Sequence, residues 1–272
     1  MKKMLKCKSM EVVRVAAREL TAEQLRAVMD HEILAIRLVG LVPPCDLSPM
    51  ATFVREHPPQ EFYQVEPNFT LMGGARFQGT EGPEAISKYF ENALNVMRAV
   101  ADGIAPATPP WERLLALFNE VWPSGATFMR FGGKLGQVGL IRVVKSGGRV
   151  GAHQDMAHWD DPTDIDIAAF SGVLSMVLYL EMPPTGGGLG LHGIGFVDSE
   201  DYHNHLIAGS AYEVDVNALN SAPLWIRPEP GEALIFSPDL LHEVQHVPDG
   251  IRSTVSVFAV RRGERDPISL FS

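Results

Sequence analysis

From residue 124 onward the chain is a series of short apolar runs, each about one strand long and closed off by glycine or proline. "ATFMRF", "QVGLIRVVK", "SGVLSMVLYLE", "GLGLHGI", "SAYEVDV", "PLWIRP", "GEALIFSP" and "STVSVFAV" are rich in β-branched and aromatic residues. Seven or more such strands with short turns between them predict an antiparallel sandwich or barrel.

The first 125 residues lean helical instead. Thr21 and Gln24 form a capping-box pattern ahead of "LRAVMD". In "EGPEAISKYFENALNVMRAVADGI", Ile86, Tyr89, Phe90, Leu94, Met97 and Val100 recur at steps of three and four, the apolar stripe of a helix packed on a core. "TPPWERLLALFNEVWP" reads as a second helix, with Thr108 placed to cap it and Pro109 and Pro110 suited to its first turn. "HEILAIRLVG" reads as a strand. No repeat or flexible linker separates the halves. The expectation is one α+β domain over residues 1–272, in which residues 1–124 are a mainly helical buttress and residues 125–262 the β core.

Composition narrows the partners. The chain of 272 residues is 46% hydrophobic and 21% charged, enough to bury a substantial core. Its net charge is −10 and it has no basic tract interleaved with aromatics, which argues against nucleic acid. No uninterrupted apolar run approaches the ~20 residues of a membrane span. The basic N-terminus is broken by Lys6, Lys8, Glu11 and Arg14 and lacks the apolar core of a signal peptide. Cys7 and Cys45 form no CxxC pair and fit a reducing compartment, so a cytoplasmic location is expected.

The chemistry concentrates in two places. The strand-like "VGLIRVVKSGG" leads into His153-Gln154-Asp155, and residues two apart on extended backbone face the same side. An imidazole and a carboxylate can therefore aim at one point, and a metal there needs a third ligand. His242 and His246, in "LHEVQHV", both qualify. Beyond them Arg252 and Thr254 share one strand face, a guanidinium fork and a hydroxyl suited to a carboxylate. Two histidines and one carboxylate leave open positions on iron. A chelating 2-oxo acid and dioxygen suit those positions.

With "HQD" at 153–155, "LHEV" at 241–244, "PDGIRST" at 248–254 and the preceding "PEPGEALIFSP", residues 125–260 resemble the Fe(II)- and 2-oxoglutarate-dependent oxygenases. The resemblance implies a double-stranded β-helix, a jelly-roll, cupin-like barrel buttressed by the N-terminal helices. It assigns the distal ligand to His242 rather than His246, and it assigns Arg252 and Thr254 to the far carboxylate of 2-oxoglutarate. The implied activity consumes 2-oxoglutarate and O2 at Fe(II), releases succinate and CO2, and hydroxylates an unactivated C–H bond. "YFENAL", "LLALFNEVWPSGATF" and "GLIRVVKSGGRVGAHQD" are similar to a bacterial subgroup of small-molecule hydroxylases related to carrier-independent halogenases. That likeness points to a free or N-acylated amino acid as substrate and admits a homodimer. Such halogenases carry a small residue in place of the triad carboxylate, so the presence of Asp155 implies hydroxylation. The alternative is a non-redox, cupin-like metal-binding protein or an isomerase. The Arg252 anchor argues against the first, and the absence of further His and Glu clustered on adjacent strands argues against the second.

Four residues are candidates for substrate contact: Arg76 on the glycine-rich "LMGGARFQGTEG", Arg142 on the strand before the triad, and His158 and Trp159 just after it. Leu140, Arg142 and Val144 share one strand face, and alternation alone leaves open which face points inward. Tyr179 either reaches the cosubstrate carboxylate or sits in the core. The His203/His205 pair and the run Asp160, Asp161, Asp164, Asp166 read as surface loops.

Overall fold

The computed structural model describes residues 4–58, 61–63, 66–74, 82–160 and 164–272. Among these, most strands fall into two sheets. The larger runs in the order Val12–Ala16, Ala35–Val39, Ala233–Phe236, Gly172–Glu181, Ile251–Arg261, Leu140–Lys145, Glu66–Met72 and Glu61–Tyr63. Ile268–Phe271 pairs with the far end of Ile251–Arg261 and, in parallel, with Ala126–Phe128. The smaller sheet runs Val150–His153, His242–Val244, Leu189–Leu191, Leu224–Ile226.

Alternation along the strands builds a core on each face of the large sheet. Val255, Val257 and Ala259 point to one side together with Ile141, Val143, Leu174, Met176 and Leu178. Against them pack Leu25 and Val28 of the helix Ala22–Met29, Met50 and Phe53 of Pro44–Glu56, Val100 and Ile104 of Gly82–Ile104, and Trp111, Leu114 and Phe118 of Pro110–Val121. On the other side Val177, Tyr179, Leu234 and Phe236 meet Leu189, Leu191 and Ile226 of the small sheet. Arg252, Thr254 and Ser256 alternate with the helix-facing residues, so they point toward the small sheet. Polar side chains on a buried strand face mark the place where the core gives way to a site.

Several sequence expectations meet a different outcome. Besides its helices and the expected strand Ala35–Val39, the first half supplies Val12–Ala16, Glu61–Tyr63 and Glu66–Met72 to the large sheet. "SAYEVDV" makes only an isolated bridge, Leu206 with Val214. Ser210 Oγ accepts from the Tyr212 and Glu213 amides, and Asp215 Oδ1 accepts from those of Asn217 and Ala218, which turns the chain at both ends of the segment. Thr108 does not cap its helix: Pro109 is the N-cap residue, and the Thr108 amide donates to Asp46 Oδ2 at 3.4 Å. Leu94 is 49% exposed, because the buried stripe of its helix runs through Tyr89, Ala93, Val100 and Ile104 and leaves position 94 turned away. The capping box forms, with Gln24 N–H donating to Thr21 Oγ1 at 3.3 Å and Thr21 N–H to Gln24 Oε1 at 3.0 Å. No helix among the described residues is long and apolar enough to cross a membrane.

Candidate active site

His153 ends the strand Val150–His153, and its cross-strand partner is His242, which opens His242–Val244. The pairing sets the two imidazoles side by side, with ring centroids 4.3 Å apart. Asp155 follows two residues later, its amide donating to Pro238 O at 2.9 Å. Its Oδ1 lies 3.8 Å from His153 Nε2 and its Oδ2 3.5 Å from His242 Nε2. Candidate ligand atoms of all three residues lie within 4.8 Å of one another.

Three contacts hold this arrangement. The amide of the intervening, buried Gln154 pairs with the backbone of Phe196, Nε2 donating to its carbonyl at 3.0 Å and Oε1 accepting its N–H at 2.7 Å. That two-point pairing fixes the link between His153 and Asp155. His153 Nδ1 lies 2.8 Å from Gly151 O, and His242 Nδ1 lies 3.0 Å from Leu240 O. A carbonyl only accepts, so each Nδ1 carries a proton, and Nε2 is the ring nitrogen that faces the carboxylate. Burial, and then the neighbouring His242, push His153 down to about 4. Burial works against ionisation of Asp155. The His242 hydrogen bond and the charges of His153, His242 and Arg142 outweigh it and hold the carboxyl below the usual range. The cluster therefore offers imidazole nitrogen and carboxylate oxygen, the donor set of a divalent transition metal.

An open cavity lies beside the cluster, lined also by Arg142, Arg252, Thr254, Ser256 and the apolar Phe69, Val150, Val177, Phe236 and Val244. Arg252 is only 3% exposed. Its Nε donates to Gly187 O at 3.0 Å and its Nη2 to the Tyr179 hydroxyl at 3.2 Å, and its guanidinium carbon lies 4.9 Å from the centre of the Tyr179 ring. Gly187 has φ +68°, a left-handed turn that suits glycine, and its backbone passes against the Arg252 stem. Among the described residues no carboxylate pairs with Arg252, and the buried hydroxyls of Thr254 and Ser256 have no hydrogen-bond partner. A buried cation beside unsatisfied hydroxyls is costly until an anion completes it. This half of the cavity fits a carboxylate.

The remaining candidates are placed as follows. Arg142 lines the cavity, so the Leu140, Arg142, Val144 face is the inward one. Arg76 lies outside the described residues. His158 is exposed, Trp159 packs on Tyr202 at 5.5 Å between ring centroids, and neither lines the cavity. His246 is exposed and outside the cluster. His203 and His205 bond through Nδ1 to carbonyls four residues back, Ser199 O at 2.6 Å and Asp201 O at 2.8 Å. Tyr179 sits in the core and also holds Arg252. Two further residues bear on the site without a sequence signal. Gln154 is one. The other is Asp239, whose carboxyl is pushed up to about 7, first by burial and then by the charge of Asp155. His31 Nε2 lies 3.8 Å from its Oδ2.

Asp239 gives the metal-free protein a defined pH response. A carboxyl whose pKa is raised on folding binds its proton more tightly in the folded state, so its cost appears as pH rises from about 4 to about 7 and stays constant above. Asp239→Asn is expected to raise thermal stability at about pH 8 by up to ~4 kcal/mol, three pKa units at 1.36 kcal/mol each, and to give no gain at about pH 4. Thermal melts of the two proteins across that range check it. Equal melting temperatures at the upper end would show that the buried carboxylate carries no such cost.

No protein-family model matches the chain, and no curated protein does. Solved structures do. A structure described as an N-substituted L-amino acid dioxygenase from Burkholderia ambifaria AMMD superposes with a TM-score of 0.60 at 14% identity, over 92% of this chain and 91% of that one. A structure of the N-substituted L-amino acid dioxygenase from that organism in complex with alpha-KG gives 0.61 at 17% identity, over the same shares of the two chains. An oxidoreductase of the 2OG-Fe(II) oxygenase family from Burkholderia pseudomallei gives 0.50 at 14% identity, over 94% of this chain and 99% of that one. At such identity the likeness is one of fold.

Proposed function

We propose that this protein is an Fe(II)- and 2-oxoglutarate-dependent dioxygenase that hydroxylates a C–H bond of a small molecule, with free and N-acylated amino acids as the first candidate class. The observation that carries this reading is one cavity lined both by the His153, Asp155, His242 cluster and by a buried Arg252 with no carboxylate partner among the described residues. The fold supports it. From Leu140 to Arg261 eight strands go to the large and small sheets in the order large, small, large, small, small, large, small, large, the interleaving of a jelly-roll barrel. Of the structures with similar folds reported above, two are described as an N-substituted L-amino acid dioxygenase, one of them in complex with alpha-KG, and one as a member of the 2OG-Fe(II) oxygenase family.

In this reading His153 Nε2, His242 Nε2 and the Asp155 carboxylate hold iron, and Arg252 with Thr254 holds the far carboxylate of 2-oxoglutarate. When bound, iron, 2-oxoglutarate and dioxygen supply an oxidative decarboxylation to succinate and CO2 coupled to C–H oxidation. The chain's own part is positioning. Tyr179 and Gly187 orient the Arg252 fork, Gln154 fixes the spacing of two ligands, and Phe69, Val150, Val177, Phe236 and Val244 keep water away from the reacting carbon. Asp155 occupies the position a halide would need, which favours hydroxylation over halogenation. A non-redox cupin-like protein or an isomerase has no use for the Arg252 and Thr254 pair.

The test is a succinate-release screen. Protein loaded with Fe(II) without oxygen and given 2-oxoglutarate is exposed to air with free or N-acylated amino acids. Succinate formation above the substrate-free rate with one class is the expected outcome. Absence of succinate under every condition, with and without substrate, overturns the proposal.

A further inference from the structure

The Arg252 guanidinium rests on two supports of unequal stiffness. One is the hydroxyl of Tyr179, a fully buried side chain in the large sheet, on the residue that pairs with Thr254. The other is the Gly187 carbonyl, which accepts from Arg252 Nε at 3.0 Å. Gly187 belongs to the loop of residues 182–188, "MPPTGGG", between the strands Gly172–Glu181 and Leu189–Leu191. Three successive glycines give this loop no side chain to pack and the widest choice of backbone conformation. Gly186 and Gly187 have left-handed φ, +71° and +68°. The main-chain bonds of the loop lie at its far end. Gly187 N–H donates to His246 O at 3.4 Å, and Gly188 O accepts from Gln245 N–H at 2.9 Å.

Arg227 holds the rest of it. It follows the edge strand Leu224–Ile226, in which Ile226 pairs with Leu189, so it leaves the small sheet beside the point where the loop enters. Its Nη1 donates to Gly186 O, and its Nη2 donates to Pro183 O and, at 3.3 Å, to Pro184 O. A planar guanidinium can span three carbonyls in this way, whereas an ammonium presents its donors from a single point. Among the described residues Arg227 pairs with no carboxylate, and it is exposed and does not line the cavity. Two arginines therefore hold one loop, Arg227 through Pro183, Pro184 and Gly186, and Arg252 through Gly187. The Gly186 carbonyl and the Gly187 N–H share one planar peptide, so a bond to the first also fixes the second. Only the two torsions of Gly187 separate that plane from the carbonyl that holds Arg252. Resting on the reading of Arg252 as the anchor for the far carboxylate of 2-oxoglutarate, we propose that Arg227 is a positioning residue for the cosubstrate. It sets the loop that aims the Arg252 fork and does not touch the diacid.

The test is a double-mutant cycle, read by calorimetric titration of 2-oxoglutarate into Ni(II)-loaded protein. The variants are Arg227→Gln, Arg252→Leu and the two together. A loop released by Arg227 samples arrangements that misaim the fork, and affinity falls in proportion to the fraction that stays competent. Arg227→Gln is expected to weaken 2-oxoglutarate binding about 3–10-fold, a competent fraction of about a third to a tenth. In the Arg252→Leu background the same substitution should cost less than about twofold, because the group it aims is gone. Ni(II) stoichiometry should match wild type throughout. Arg227→Lys should fall between wild type and Arg227→Gln, and it carries the same cycle if thermal melts show Arg227→Gln unfolded. An Arg227 with a purely structural role would lower the melting temperature and leave 2-oxoglutarate affinity unchanged, and that result overturns the proposal. So does a double variant whose loss equals the product of the two single losses. Either result leaves the parent reading standing if Arg252→Leu alone weakens binding. Wild type that binds no 2-oxoglutarate, or an Arg252→Leu variant that binds it as wild type does, overturns the parent reading and this one with it.

Discussion

His242→Ala is expected to lose tight iron binding and with it all 2-oxoglutarate turnover. The imidazole at 242 supplies one of three candidate ligand atoms, and the other two, from His153 and Asp155, are held two residues apart on one segment. Without the second strand's contribution they form an open pair. Replacing outer partners of metal ligands costs about 10–100-fold in affinity, so removal of a ligand is expected to cost more than ~100-fold. The fold should survive, because alanine keeps the backbone pairing of 242 with Leu191 and His153, and the loss is one ring that packs against Phe236 and His153 and bonds Leu240 O. Equilibrium dialysis with Fe(II), alongside thermal melts, measures both. His246→Ala is the control: that side chain is exposed and outside the cluster, and iron stoichiometry should stay at the wild-type value. If His242→Ala keeps full iron while His246→Ala loses it, the ligand set is wrong.

Arg252→Leu is expected to raise the 2-oxoglutarate requirement by about 10–100-fold, the range of 1.5–3 kcal/mol for a hydrogen bond to a charged group. Iron binding without the cosubstrate should not change. Leucine fills much of the space left by the stem of a 3% exposed side chain, so the loss falls on recognition rather than on folding. Arg252→Lys should recover little, because an ammonium cannot reach the Gly187 carbonyl and the Tyr179 hydroxyl and still present a fork to a carboxylate. Titration of 2-oxoglutarate into the iron-loaded variants checks this. Unchanged affinity in Arg252→Leu would remove the anchor from the account.

The parts of the site that were legible in the sequence are those whose chemistry is local. His153 and Asp155 share a side because extended backbone has a period of two, and Arg252 and Thr254 do so for the same reason. The inward face of Leu140–Lys145 was not legible, because both of its faces are buried: Ile141 and Val143 under the helices, Leu140 and Val144 in the smaller cluster around Phe69 and Val150. Gln154 acts through Phe196, 42 residues away, and Asp239 through a loop that brings it near Asp155, so neither leaves a mark on its own neighbours in the chain. The N-terminal strands were partly hidden for a similar reason. Val12–Ala16 acquires its strand character only by lying parallel to Ala35–Val39, and between the two the helix Ala22–Met29, with its capping box, dominates the local pattern. "SAYEVDV" errs the other way: its alternation is strand-like, and Ser210 and Asp215 fold it into turns.

The most direct measurement is a crystal structure of the protein grown with Ni(II) and 2-oxoglutarate in the absence of substrate. The account predicts one metal ion bound by Nε2 of His153, Nε2 of His242 and the Asp155 carboxylate, with the diacid reaching from that ion to the Arg252 guanidinium and the Thr254 hydroxyl. A metal ion bound elsewhere, or a diacid whose far carboxylate lies away from Arg252, would contradict it.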